Sequence, residues 1–243
     1  MTWFKADLHI HTVLSPCADL NMSPVNIIKR AKEQNLDIIG VTDHNSTLHC
    51  EIMARLGKKN GISVFTGVEV NTREEVHCLA FFEELDDCKA FQMFINRYLP
   101  PIKNNPEKLG DQVVVNEKNE IVFEVEELLI LGLRASISEV ENEVHRLNGL
   151  FIPAHINRPY NSLFSQLGFV PKKLCVDALE IAKTGRKIDE QDTDEYCLIQ
   201  NSDAHFIENI GTSYFNVNLK NPTFGEFKKV IVNREKQNIE LGS

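Results

Sequence analysis

Asp7-Leu8-His9-Ile10-His11 lies near the start of a 243-residue chain. As a strand, its alternation sends Asp7, His9 and His11 to one face and Leu8 and Ile10 to the other. Two imidazoles on one face of a rigid strand can grip a single metal ion. A carboxylate behind them can accept a ring N–H and so fix the tautomer of a ligating histidine. The His-x-His pair alone is unspecific, and the positions of the other histidines decide what it means.

Working outward, Ser23-Pro24 is an N-cap followed by proline at the first helical position, with Val25, Ile27, Ile28 and Ala31 as the buried stripe. Residues 37–41 form a short run rich in Ile and Val, a buried strand ending in Thr42-Asp43-His44. A helix over 46–59 closes at Asn60-Gly61. Strands follow over 62–70, carrying Gly67 and Glu69, and over 75–82, carrying His77, with a helix over 83–98. The segment from Pro100 to Pro106 is turn chemistry, and 113–115 and 121–123 flank Asn116-Glu117-Lys118-Asn119 as a hairpin. Residues 100–125 are therefore expected as a surface insertion within a single domain spanning 1–243. Alternation resumes with a helix over 138–147 and a strand from 150 that ends in Pro153-Ala154-His155. Strands over 177–182, 196–200 and 213–217 and a closing helix over 224–232 complete the chain, with Asn201-Ser202-Asp203-Ala204-His205 after the second of these strands. Repeated strand–helix alternation at this length predicts a parallel α/β barrel.

The formal charge of −9 argues against a non-specific grip on nucleic-acid backbone, which is built on clustered Lys and Arg. No stretch approaches the roughly 18 apolar residues of a membrane span. The six cysteines are scattered without a C-x-x-C pair, and no secretion signal precedes the first motif. Together these predict reduced thiols in a cytoplasmic protein.

The chemistry-bearing side chains recur at the ends of the predicted strands, which converge on one mouth in an α/β barrel. Of the eight histidines, six (His9, His11, His44, His77, His155 and His205) fall at such places or point into them, joined by Glu69 and Asp203. His49 and His145 sit within predicted helices and are left outside the site. Asp7 and Asp43 are candidates to orient the histidines, and Asp43 also stands close enough in sequence to enter the chemistry. There is no phosphate-binding glycine loop and no nucleophile elbow, so any grip on phosphate comes from metal.

This set in this order resembles the polymerase-and-histidinol-phosphatase (PHP) phosphoesterases. The matching pieces are D-L-H-I-H at 7–11, T-D-H at 42–44, G-V-E at 67–69, His77, P-A-H at 153–155 and S-D-A-H at 202–205. The resemblance implies a distorted seven-stranded TIM-like β/α barrel with two or three divalent ions at its mouth, held by His9, His11, His44, Glu69, His77, His155, Asp203 and His205. The run Asp19-Leu20-Asn21-Met22-Ser23-Pro24 is similar to the family's D-G-x-[LM]-[ST]-P, which implies Asp19 as a further ligand, although its glycine is missing here. Cys17 stands where some relatives carry a histidine, so a thiolate ligand remains an alternative. Imidazole with some carboxylate favours zinc, iron or manganese over magnesium.

The resemblance further implies hydrolysis of a small phosphate ester (a nucleotide, sugar phosphate or amino-alcohol phosphate) through a metal-bridging hydroxide. The alternatives are a 3′–5′ exonuclease or oligonucleotide hydrolase and a non-catalytic metal-binding domain. Three carboxylates against two or three divalent ions leave an electropositive pocket in an acidic protein. Arg158, in His-Ile-Asn-Arg-Pro-Tyr, is similar to the H-P-x-R-[YF] run of nucleotide-cleaving relatives and is placed on the phosphate, as is Lys183; Arg134 is a weaker candidate. His205, or the metal on the leaving-group side, assists departure of the alkoxide. The 100–125 insertion and the loop from Tyr160 to Phe169 are expected to shape substrate choice.

Overall fold

A computed structural model describes residues 1–189, 191 and 193–242. In chain order its elements are β1 (Thr2–Asp7), α1 (Pro24–Glu33), β2 (Ile38–Val41), α2 (Cys50–Asn60), β3 (Ser63–Asn71), β4 (His77–Phe82), α3 (Leu85–Tyr98), α4 (Pro106–Leu109), β5 (Val113–Val115), β6 (Ile121–Glu124), α5 (Ile137–Arg146), β7 (Leu150–Pro153), α6 (Leu163–Gln166), β8 (Ala178–Ile181), β9 (Cys197–Gln200), β10 (Phe215–Leu219), α7 (Phe224–Val232) and β11 (Ile239–Leu241). The sheet order β11-β10-β1-β2-β3-β4-β7 curls into a half-barrel, and β8 pairs with β9 in parallel. Backbone bonds carry the wall around. Asp177 N–H donates to Phe151 O (3.0 Å) and Ile156 N–H to Glu180 O (2.8 Å), tying β8 to β7. Beyond the ends of β9 and β1, Ala204 N–H donates to His9 O (3.1 Å) and His11 N–H to Ala204 O (3.0 Å).

The sheet is not parallel throughout, contrary to the expectation from alternation. β1, β2 and β3 run parallel, but β4 is antiparallel to both β3 and β7. The connection explains it. Residues 72–76 alone separate β3 from β4, whereas a parallel crossover needs about a dozen residues or more. The reversal pairs Asn71 with His77, so the first residue of β4 arrives at the same end as the last residues of its parallel neighbours.

Strict alternation in the opening motif also fails. β1 stops at Asp7. Leu8 packs in an inner cluster with Ala6, Leu79 and Ile199, whereas Ile10 packs in an outer cluster with Ile27 and Ile39. The inner cluster fills the barrel from alternate positions of β4, β7 and β9 and is closed by Phe227 and Ile231 of α7. The outer cluster seats α3 and α5 on the opposite face through Phe91, Ile95, Val140 and Val144. β2 approaches the opening motif so closely that a Cβ on Gly40 would lie 2.2 Å from Leu8 O.

The hairpin at 113–124 is present as β5 and β6, with a register irregularity at Val114/Val115. Val113 and Val115 pack on Val13, and buried Gln112 ties the segment together through Val125 O (3.0 Å), Glu127 O (2.7 Å) and Leu129 N–H (2.9 Å). His145, on α5, bridges Glu141 Oε1 (2.6 Å) and Asp177 Oδ2 (2.8 Å) and so ties the helix to the wall. The Asp177 hydrogen bond is the main cause of its raised pKa; partial burial works against it, and Glu141 adds to the rise. A raised histidine pKa contributes stability that is complete below the unfolded value of about 6.5 and is lost as pH climbs through the folded value. His145→Gln is therefore expected to lower the unfolding free energy by about 1 kcal/mol near pH 6 and by less at alkaline pH, the pair being partly solvated. Urea titrations of both proteins at the two pH values measure the difference.

Candidate metal centre

Glu69 is on the inward face of β3, 1% exposed, and imidazoles surround it. Its Oε1 lies 2.9 Å from His77 Nδ1 and 3.2 Å from both His9 Nε2 and His155 Nε2. Its Oε2 lies 3.1 Å from His44 Nδ1 and 3.3 Å from His11 Nε2. Asp203 Oδ1 closes the group at 3.2 Å from His9 Nε2 and 3.1 Å from His11 Nε2. Three overlapping sets of donor atoms result among the described residues: His9, His11, Glu69 and Asp203; His44, Glu69 and His77; and His11, His44 and His205.

Partners on the far side of the rings set the tautomers. Ser15 Oγ donates to Asp43 Oδ1 (2.7 Å), so it accepts from His11 Nδ1 at 3.0 Å. His9 Nδ1 faces both oxygens of Glu180 at 3.0 Å, and His205 Nδ1 donates to Asp203 O at 3.0 Å. In each case Nε2 is left as the lone-pair nitrogen, the form in which imidazole binds metal. His9 Nε2 and His11 Nε2 then face one another at 3.2 Å, an arrangement that needs a cation between or beside them. His44 Nδ1, Glu69 Oε2 and His155 Nδ1 are buried without a hydrogen bond, which again fits a donor set built for divalent cations.

Charge within the cluster is strongly coupled. Burial lowers the proton affinity of His9, but Glu180, Asp203 and Glu69 outweigh it and hold the pKa well above the usual value. His11 is raised to about 9 against burial by Asp203 and Glu69. Glu69 and Asp203 are held well below the usual range by the histidines despite burial. Burial lowers His44 well below the usual value and takes His205 down to about 4. Two positions around the cluster, His155 (φ 29°) and Asp203 (φ 51°), hold a left-handed backbone that side chains rarely adopt, and such strain gathers at functional sites.

The PHP domain family matches over residues 7–162. The chain belongs to this family. It is 23% identical to the uncharacterised protein YqxK of Bacillus subtilis over 96% of this chain and 63% of that protein. It is 32% identical to a 5′–3′ exoribonuclease of Haemophilus influenzae over 29% of this chain and 25% of that protein. Among solved structures it is similar to the lesion-specific endonuclease PfuEndoQ of Pyrococcus furiosus, with a TM-score of 0.72 at 20% identity over 99% of this chain and 58% of that one. An amidohydrolase of Chromobacterium violaceum with bound sulfate gives 0.54 at 16% identity over 97% of each chain. This PHP chain thus spans about three-fifths of the length of YqxK and of PfuEndoQ.

Within the PHP framework the structure gathers His9, His11, His44, Glu69, His77, His155, Asp203 and His205 and leaves four sequence candidates aside. Asp19 Oδ1 accepts from Asn21 N and Nδ2, both at 2.8 Å, and Asp19 falls in none of the donor sets among the described residues. Neither does Cys17, which is exposed in the turn between Ser15 and Asp19. Lys183 is exposed and lies outside the lining of the cavity above the cluster, as does Arg134. Arg158 NH1, in contrast, donates to Asp203 Oδ2, and its side chain stays 40% exposed.

Asp7 does not reach a histidine ring, although its carboxylate also takes a hydrogen bond from the backbone of His9. It accepts from Ser202 N (3.0 Å), Ser202 Oγ (2.6 Å) and Gly211 N (2.9 Å), steadying the loop that carries Asp203, and burial lifts its pKa to about 6. The residue behind His9 is Glu180 of β8, which sequence reasoning missed. Besides His9 it accepts from Asn201 Nδ2 (2.8 Å) and His155 N–H (2.8 Å). Its signal was a lone carboxylate in the apolar run Ala178-Leu179-Glu180-Ile181. Asp43 works through Ser15, and also accepts from Thr12 N (2.7 Å) and Oγ1 (2.8 Å). His49 is fully buried, with Nδ1 on Thr12 Oγ1 (2.5 Å) and Nε2 accepting from Val115 N–H (3.0 Å).

Because Glu180 holds a donor ring from behind, Glu180→Gln is expected to weaken metal binding by about 10- to 100-fold while the fold persists. Titration calorimetry with manganese, alongside far-ultraviolet circular dichroism, tests this.

Proposed function

We propose that this chain hydrolyses the phosphate ester of a small molecule with the help of two or three divalent ions. The observation that carries the reading is the buried His/Glu/Asp cluster at the floor of a cavity of about 350 Å³, with Arg158 on its wall. His9, His11, Glu69 and Asp203 would hold one ion, and Glu69, His44 and His77 a second. The trio His11, His44 and His205 overlaps both sets, and since a neutral imidazole ligates one ion, His205 is the donor it would add for a third. When bound, such ions polarise phosphoryl oxygens and bring the pKa of water towards neutrality. The mixed nitrogen and oxygen donors favour zinc, manganese or iron.

The protein's own groups then bind and orient. The guanidinium of Arg158, tethered by one nitrogen to Asp203, keeps its exposed part for a phosphoryl oxygen. Glu180 and Ser15 fix the rings of His9 and His11, so no rotamer search accompanies binding. Asp43 acts one step removed, through Ser15. With Nδ1 donating to Asp203 O, His205 carries no proton on Nε2 for a leaving alkoxide, which supports a ligand role over that of a general acid. A second reading, hydrolysis of short oligonucleotides, draws support from the exoribonuclease and endonuclease named among the relatives. Among the described residues no helix is long and apolar enough to cross a membrane. The free state of all six cysteines supports a cytoplasmic setting. The continuous wall from β1 to β9 supports treating 1–243 as one domain.

His9→Ala or Asp203→Ala is expected to abolish phosphate release and lower the bound metal with the barrel still folded. Malachite-green assays, elemental analysis and circular dichroism check this, and unchanged turnover would refute the assignment. Arg158→Ala is expected to raise KM roughly tenfold or more, the scale of a lost charge-assisted bond. Saturation kinetics with the best ester found would expose an identical profile if Arg158 lies outside the site.

A further inference from the structure

Beyond the donor residues, the described lining of the cavity comes from one segment: Arg158, Pro159, Tyr160 and Asn161. Whatever a phosphate ester carries besides its phosphate meets these groups first. The segment is pinned at both ends to the cluster. Arg158 N–H donates to His155 O (2.9 Å), Asn161 O accepts from His77 N–H (3.0 Å), and Ser162 Oγ donates to Arg158 O (2.7 Å). Asn161 takes a left-handed backbone (φ 52°), and Pro159 restricts the chain before the tyrosine. Tyr160 is nevertheless 77% exposed. A rigid turn therefore presents a large aromatic face to solvent at the lip of the cavity.

The chemistry of the segment narrows the ester. An amino-alcohol phosphate needs a carboxylate for its ammonium, and the segment has none; Glu69 and Asp203 belong to the cluster. A sugar phosphate needs several hydrogen-bonding groups for its hydroxyls, and beside Arg158 only the Asn161 side-chain amide and the Tyr160 hydroxyl offer them. A planar heteroaromatic group needs a π-face, and Tyr160 supplies one. We infer that Tyr160 is a specificity-determining residue that stacks on the nucleobase of a nucleotide whose phosphate lies over the cluster. This rests on the phosphoesterase reading above and names its substrate class. The shared chemistry is a base joined to a phosphate, whether in a free nucleotide or at the end of an oligonucleotide.

The test uses the full manganese-loaded chain as wild type, Tyr160→Ala and Tyr160→Phe, with adenosine 5′-monophosphate, the dinucleotide pApA and ribose 5-phosphate. A reading independent of turnover comes from 2-aminopurine riboside 5′-monophosphate, whose fluorescence is quenched on stacking. Tyr160→Ala is expected to raise KM for the base-bearing esters about tenfold more than KM for ribose 5-phosphate, with the effect in KM rather than kcat. Quenching should disappear with it, and Tyr160→Phe should restore both. The lower KM of the monophosphate or of pApA then identifies the source of the base. Hydrolysis of all three esters with Tyr160→Ala matching the wild type in KM and quenching would overturn the stacking role and leave the hydrolase intact. Quenching that depends on Tyr160, with no ester hydrolysed, would instead uphold stacking and overturn the phosphoesterase reading.

Discussion

The structure turns on the burial of one carboxylate. Glu69 lies 1% exposed in the barrel, and an ion in such a place costs several kcal/mol unless its charge is met locally. Five imidazoles, from His9, His11, His44, His77 and His155, are brought against it from different strand ends. The carboxylates around them hold His9 and His11 up against burial, while burial takes His44 and His205 down. Histidine must be unprotonated at the nitrogen that binds metal, so metal affinity at such a cluster weakens as pH falls.

That demand shapes the backbone. A parallel strand would carry His77 away from the mouth, and the short β3–β4 hairpin returns it. Leu8 turns inwards and Ile10 outwards, so His9 and His11 both reach the cluster, at the end of regular β1. Glu180 couples two donors at once, gripping the ring of His9 and the strained backbone of His155. Strain there is tolerable because β7, β8 and the Asn201 amide all bear on the same few atoms.

The histidines were legible in the sequence because each follows or opens a short apolar run, and a barrel collects such positions at one end. The α/β character was legible for the same reason. The direction of β4 was not drawn from the pattern, although the length of its connection contains it. Glu180 was hidden because one carboxylate in a four-residue strand looks like a solvent-facing position; only the sheet geometry shows that it shares the inward face with Ala178. Asp7 suggested a partner for the His9 ring through strict alternation, but it meets only the backbone of His9, and Glu180 takes the ring. Asp19 fits a motif, but its local hydrogen bonds to Asn21 depend on the path of the loop, which pattern alone does not describe.

The hairpin insertion has a different standing from most surface loops, which can be cut, lengthened or exchanged at little cost. A continuous chain of contacts runs from Val115 N–H to His49, Thr12, Asp43, Ser15 and finally the His11 ring. Grafting another loop between α3 and α5 would leave a buried imidazole nitrogen without its donor and loosen a ring four bonds away. The evolutionary freedom of this region is therefore tied to the metal cluster, and variation within it has to respect an anchor at Val115 that its own surface does not reveal.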